Sequence, residues 1–247
     1  MFKTHLIILA ITSLLFFVAC SENSTEPKDD IKQNTNVSGT VTDIEGNVYK
    51  TVKIGSQWWM AENLKVTKYR NNETISKITD NSEWQNLSTG AFCSYENDDA
   101  NIKVYGLLYN WFAVKRDLAP KGWHIPSDDD WKELEMYLGM SRASVDTIFQ
   151  RGSDEGGKLK ETGTTYWQSP NKGATNEINF SALPAGFRSR FGQFGYIGAS
   201  STFWSSTAYN INDPWLRTLG NTVSTILRER VYGQNGSGYS VRCVKDR

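Results

Sequence analysis

Apolar and polar positions along this chain alternate first in twos, then in threes and fours, and the change of period divides it into regions. Val41-Thr42-Asp43-Ile44 and Val48-Tyr49-Lys50-Thr51-Val52-Lys53-Ile54 alternate on either side of Glu45-Gly46-Asn47. That pattern predicts a β-hairpin. Trp58-Trp59-Met60-Ala61-Glu62-Asn63-Leu64 follows and is expected to pack on it. Residues 69–101 have little periodicity and read as long loops and short turns. The segment 105–114 is apolar nearly throughout, with Leu107, Leu108, Trp111 and Val114 or Lys115 at helical spacing, and predicts a buried helix of about ten residues. Ser127 is an N-cap, Asp130 completes an approximate capping box, and Trp131, Leu134 and Leu138 form one apolar stripe that Gly139 ends. Ser141 opens a shorter helix with Val145, Ile148 and Phe149 on one face. Glycines punctuate the chain from Gly152 on, predicting turns and short strands, and Gly238–Val244 reads as a closing strand. Helices in the middle and strands at both ends predict a single α+β domain with two main helices, short antiparallel strands and long loops.

The first twenty residues follow a different rule. Lys3 precedes an apolar stretch from Leu6 to Val18, then Ala19-Cys20 and at once polar Ser21-Glu22-Asn23-Ser24. This is the order of a signal peptide, and the apolar stretch is short of a membrane-spanning helix. Phe17-Val18-Ala19-Cys20 resembles a bacterial lipobox, which implies cleavage after residue 19 and lipidation of Cys20. Residues 20–36 hold one apolar side chain, Ile31, beyond the lipid cysteine and read as a flexible tether; the domain is expected over 37–247. Ser21-Glu22 partly resembles the acidic surface-export signals of some Gram-negative lipoproteins, with Asn23 interrupting the run. The expected location is the outer membrane of a Gram-negative cell, facing the periplasm or the outside.

The chain has 27 basic and 27 acidic side chains. Loss of Lys3 leaves a net charge of about −1, so no basic footprint for nucleic acid is present, and membrane attachment falls to the lipid. Nine Trp, eleven Tyr and eleven Phe suit either an aromatic core or a glycan-binding surface. With Cys20 assigned to lipid, Cys93 and Cys243 remain, and an oxidising compartment predicts a bridge between them. It would close a loop of about 150 residues, worth roughly 4–5 kcal/mol by chain entropy.

Candidate chemistry is sparse. Asp43, Glu45 and Asn47 sit at odd positions as in a calcium loop, yet Gly46 stands fourth where an EF-hand needs its glycine sixth; a turn is expected. His5 leaves with the signal peptide, so His124 is the one histidine of the mature chain. Set between Trp123 and Ile125 just before a helix cap, it reads as structural, and a zinc site has too few ligands. Asp98-Asp99 and Asp154-Glu155 are adjacent carboxylates on polar loops, with nothing to set a glycosidase separation. Glu96–Asp99 and Asn210–Asp213 are rich enough in oxygen to hold calcium; plain turns are the expectation, and no cofactor is assigned.

Several ordered motifs resemble the Fibrobacter succinogenes major paralogous domain: Thr51–Gly55 through Trp58–Leu64, Cys93-Ser94-Tyr95, Tyr105–Trp111, Gly122–Pro126 and Gly157–Lys160. Phe180–Arg188, Trp204–Thr207 and Ser240–Cys243 complete the match over about 41–246. The resemblance implies an exported lipoprotein. More distantly, Gly122-Trp123-His124-Ile125-Pro126-Ser127 with Trp131 is similar to a signature of formylglycine-generating-enzyme-like domains, which implies a C-type-lectin-like fold. Those enzymes use a nearby C-terminal cysteine pair; here Cys243 stands alone, so that activity is not carried over. By analogy with ligand sites before the final strand of that fold, Tyr196, Tyr209, Asp213 and Trp215 are candidate contacts, with packing beneath the loops as the alternative. The expected function is noncatalytic recognition of a glycan or surface protein. A structural or adhesin role and an enzyme of unknown reaction are the alternatives.

Overall fold

The computed structural model describes residues 37–211, 213–231 and 236–247. The predicted signal peptide, Cys20 and the tether lie outside the described residues. In chain order the first elements are β1 (Ser38–Thr42), β2 (Val48–Ile54), β3 (Gln57–Met60), β4 (Ser76–Lys77), α1 (Asn81–Gln85) and β5 (Ala91–Cys93). Then come α2 (Ile102–Tyr105), β6 (Leu108–Tyr109), α3 (Trp111–Val114), β7 (Trp123–His124), α4 (Asp128–Tyr137) and α5 (Arg142–Val145). Next are β8 (Phe149–Arg151), α6 (Glu155–Leu159), β9 (Ala185–Arg188), β10 (Phe194–Ile197) and β11 (Ser200–Ala208). The last are β12 (Pro214–Gly220), β13 (Ile226–Arg230) and β14 (Val244–Lys245). Three sheets result, in the orders β1-β2-β3-β14-β7, β10-β9-β11-β12-β13-β8 and β4-β5-β6. The fold is α+β.

The predicted hairpin forms, with Val41 opposite Tyr49 and Thr42 opposite Val48. Its turn uses the acidic residues directly. Asp43 Oδ1 accepts the Glu45 and Asn47 amides, both at 2.9 Å, and Oδ2 accepts the Tyr49 hydroxyl at 2.6 Å. Gly46 sits at φ +83°, a region costly for residues with a Cβ. The capping box is complete: Asp130 N–H donates to Ser127 Oγ at 3.1 Å, and Ser127 N–H donates to Asp130 Oδ2 at 2.9 Å. On the stripe of α4, Trp131 lies 4.8 Å from Trp59 and 5.7 Å from Phe203, ring centre to ring centre. Six tryptophans, including Trp84, Trp111 and Trp204, are fully buried, so most of the aromatic content is core.

Several expectations fail for local reasons. The helix over 105–114 shrinks to Trp111–Val114. Gly106 adopts φ +72° where a Cβ would meet Leu64 O at 2.8 Å, and Leu108 and Tyr109 then pair with Cys93 and Phe92. An unbroken apolar run does not separate a buried strand from a buried helix. The helix after Ser141 stops at Val145. Val145 is buried, but Ile148 is 42% and Phe149 63% exposed, and Phe149 (φ +67°) joins β8 instead. The closing segment is extended but breaks into single bridges, Tyr239 to Tyr109 and Ser240 to Phe203, before β14.

The predicted Cys93–Cys243 disulfide is absent; both thiols are free and buried. Cys93 lies on β5 in a cluster with Trp84, Tyr95 and Leu108, whereas Cys243 packs in a separate cluster with Tyr49, Leu64 and Trp204. Burial pushes the Cys93 thiol up to about 12 and raises Cys243 as well.

Between α4 and the six-stranded sheet lies a buried ionic network. Arg217 reaches Glu135 at 2.6 Å and Asp128 at 2.8 Å, and Arg228 grips Asp128 with two bonds of 3.0 and 2.7 Å. Arg151 pairs with Glu135. Although burial alone would raise it, the Arg228 and Arg217 contacts hold the Asp128 carboxyl well below its ordinary range.

Candidate ligand cleft

The four predicted contact residues do not form one site. Tyr196 is 66% exposed at the end of β10, stacked on Phe187 at 5.5 Å. Tyr209 and Asp213 lie past the other end of nine-residue β11, a separation of roughly 30 Å at about 3.3 Å per strand residue, and Trp215 follows on β12 beside that end of β11. Trp215 is buried, with the Arg228 guanidinium 3.6 Å from its ring centre and Tyr209 against its edge at 5.9 Å. Asp213 is buried as well and accepts from Asn210 Nδ2 at 2.6 Å. Tyr209 stays exposed beneath Arg230, 4.0 Å from its ring centre.

The oxygen-rich segments are engaged locally. Asp99 is held by Lys77 at 2.6 Å and by the Ser94 hydroxyl at 3.0 Å, and Asp98 accepts the Ala100 amide. Among the described residues no group of three or more His, Cys, Asp or Glu side chains is placed to hold a metal ion. His124 bridges two carboxylates, Nδ1 to Asp246 at 2.7 Å and Nε2 to Asp130 at 3.2 Å. The Asp130 contact, with Asp246 assisting, raises the imidazole above its ordinary value. That arrangement ties β7 and the α4 cap to the C-terminal strand.

A cleft of 580 Å³ lies elsewhere, walled by β2, the residues after β3, α2 and the stretch from Glu161 to Leu183. Its size is that of a small-molecule site. Arg242 forms part of its lining while being only 1% exposed. The guanidinium donates to Asn63 Oδ1 at 3.0 Å, Ser181 O at 2.8 Å, Phe180 O and, at 3.4 Å, Met60 O. These acceptors are neutral. Burial therefore pulls Arg242 below its ordinary value, opposed through space by Glu62 and Glu161.

Arg242 joins the two walls by bonding to both. On one side Asn63 also donates to Tyr105 O at 2.8 Å and Ser240 Oγ at 3.2 Å. On the other, Asn176 holds Ser181 by paired bonds of 2.8 and 2.9 Å. Asn176, Asn179 and Ser181 all have positive φ, 49°, 56° and 52°. Such strained non-glycine conformations persist where surrounding contacts over-determine them, and they cluster at ligand sites. Tyr166, 40% exposed, stands at the mouth with its ring edge-on to Tyr105 at 6.3 Å.

The cleft's remaining polar groups are only partly used by the fold. Glu62 accepts the Lys50 amide at 2.6 Å, and Glu161 accepts from Asn176 at 3.1 Å; each keeps its other oxygen without a hydrogen bond among the described residues. Acceptors and donors are thus presented to whatever fills the cleft, in a site with one aromatic edge. The sequence reading missed these residues. The available signal was polar residues inside apolar motifs: Glu62-Asn63 after Trp58-Trp59-Met60, and Arg242 between Val241 and Cys243.

The fold and cleft define an α+β domain with a walled, mixed-polarity pocket closed by a buried arginine. The model of the Fibrobacter succinogenes major domain matches residues 52–245, and the chain belongs to that family. The match takes in Glu62, Asn63, Glu161 and Arg242 and begins just after Lys50. No curated protein and no solved structure matches the chain.

Proposed function

We propose that this chain is a noncatalytic recognition domain, held on the outer membrane of a Gram-negative cell by a lipidated Cys20, and that it binds a glycan in the 580 Å³ cleft. The observation that carries the reading is the pair Glu62 and Glu161, each offering an oxygen the fold does not use, beside an exposed Tyr166. Acceptors for sugar hydroxyls next to an aromatic ring are what a saccharide needs from a protein. A C-type-lectin-like architecture agrees with the last strand, β14, inserting between β3 and β7 of the N-terminal sheet.

Glycan-array binding by the purified lipoprotein in detergent, repeated with Glu62→Gln/Glu161→Gln, tests this. Binding that the double variant loses is expected. An array with no signal above that variant removes the glycan reading, and turnover of any bound saccharide removes the noncatalytic one. A surface-protein partner is favoured by one separate observation: Tyr209 and Ile211, at 62% and 84% exposed, share the β11–β12 turn. Crosslinking in the native envelope through position 211 would capture such a partner.

A further inference from the structure

We infer that the cleft takes an acidic saccharide, a uronate-bearing chain whose carboxylate meets a rim of lysines while its hydroxyls meet Glu62 and Glu161. The inference rests on the glycan reading above and adds the charge of the ligand.

Three lysines line the cleft from three elements: Lys50 on β2, Lys65 after β3 and Lys103 on α2. Lys50 and Lys103 are exposed and Lys65 is half-buried. None of the three forms an ion pair among the described residues, in common with most lysines there; Lys77, Lys132 and Lys158 are the paired ones. Lys65 has only the Tyr49 ring, 5.5 Å from its ammonium. Arg242 adds a fourth positive charge in the cleft lining, against the two carboxylates Glu62 and Glu161. A cleft lined by one excess sign concentrates ligands of the other.

The carboxylates narrow the class further. Sulfate carries no hydroxyl donor, and phosphate carries its one or two on the anionic group itself, so neither presents donors to Glu62 and Glu161 apart from its own charge. A uronic acid has both an anion and several hydroxyl donors on one ring. Its carboxylate goes to the lysine side, its hydroxyls to Glu62 and Glu161, and its apolar ring face to Tyr166. A neutral sugar would fill the same acceptors but leave the lysines without a counter-charge.

The test uses the full-length lipoprotein in detergent, with trigalacturonate and its methyl ester as calorimetric probes; the ester removes charge and keeps the rings. The acid is expected to bind about tenfold tighter than the ester at low salt, the size of two or three exposed charge contacts. The gap should close in about 0.5 M salt, where screening is short-ranged. Lys50→Gln/Lys65→Gln/Lys103→Gln should reduce the acid to the ester's affinity, with an unchanged unfolding midpoint showing that the fold survives. If acid and ester bind alike, and Glu62→Gln/Glu161→Gln weakens both, the acidic class is wrong and the glycan reading stands. If neither probe binds and the array is also silent, both fail together.

Discussion

Two regions of this domain bury arginine in opposite ways. Behind α4, Arg151, Arg217 and Arg228 are matched by Asp128 and Glu135, with Lys132 and Asp146 continuing the network at 3.1 and 2.8 Å. At the cleft, Arg242 is matched by a side-chain amide and backbone carbonyls, and its two nearest carboxylates remain turned to other uses. The first arrangement pairs its buried carboxylates internally with arginine and lysine. The second fixes two loops without consuming the acids, so Glu62 and Glu161 stay available. Similar residue types therefore build scaffold in one place and line a cleft in the other; neutral acceptors alone do not make a site, since buried Arg188 is also held by Ile78 O, Thr79 O, Gly192 O and Asn81 Oδ1 away from the cleft.

The contrast breaks most sharply at Glu135. Glu135→Ala leaves buried Arg151 without a carboxylate and takes one of two from Arg217, a loss expected to cost about 3–5 kcal/mol; urea unfolding reads it, and a loss under about 1 kcal/mol would mean the network is not stabilising the fold. Arg242→Met should cost less, about 2–3 kcal/mol. It should also speed amide exchange across residues 176–181 while leaving α4 unchanged, and equal acceleration of both would erase the distinction between the regions.

A pH series sharpens the scaffold side. The contacts of Asp130 with His124 and Ser127 outweigh burial and lower its carboxyl to about 2. Its stabilisation is therefore complete above the unfolded value of about 3.9 and is lost as pH falls through about 2. His124 has the opposite sign: raised in the fold, it stabilises fully below about 6.5 and loses that contribution as pH rises through its higher folded value. Because the imidazole is part-exposed, its share is under about 1 kcal/mol. Thermal midpoints should fall slightly between pH 6 and 8.5, and His124→Gln should flatten that limb; an unchanged slope would discard the clamp. The smallest effect belongs to Lys50→Gln and Lys103→Gln, within about 0.5 kcal/mol by the same unfolding measurement, since neither side chain has an ion-pair partner among the described residues.

Elements whose cause lies within a few neighbouring residues were legible beforehand. The turn at Asp43–Asn47 and the cap at Ser127 depend on hydrogen bonds spanning four residues or fewer. The segment from Tyr105 to Val114 was not, because its apolar run suits any buried conformation and Cys93 and Leu64, distant in sequence, decide it. The candidate contacts are dispersed for a related reason: Tyr196 and Tyr209 are close in sequence, but an intervening strand carries them apart.

By itself the sequence determined the hairpin, the capped helix, the aromatic character of the core and the family, all properties written in local order and spacing. Tertiary structure alone decided that Cys93 and Cys243 occupy different clusters, and that Glu62, Glu161 and Arg242 share one cleft. Burial and convergence depend on which distant segments meet, and a pattern of neighbours does not encode that meeting.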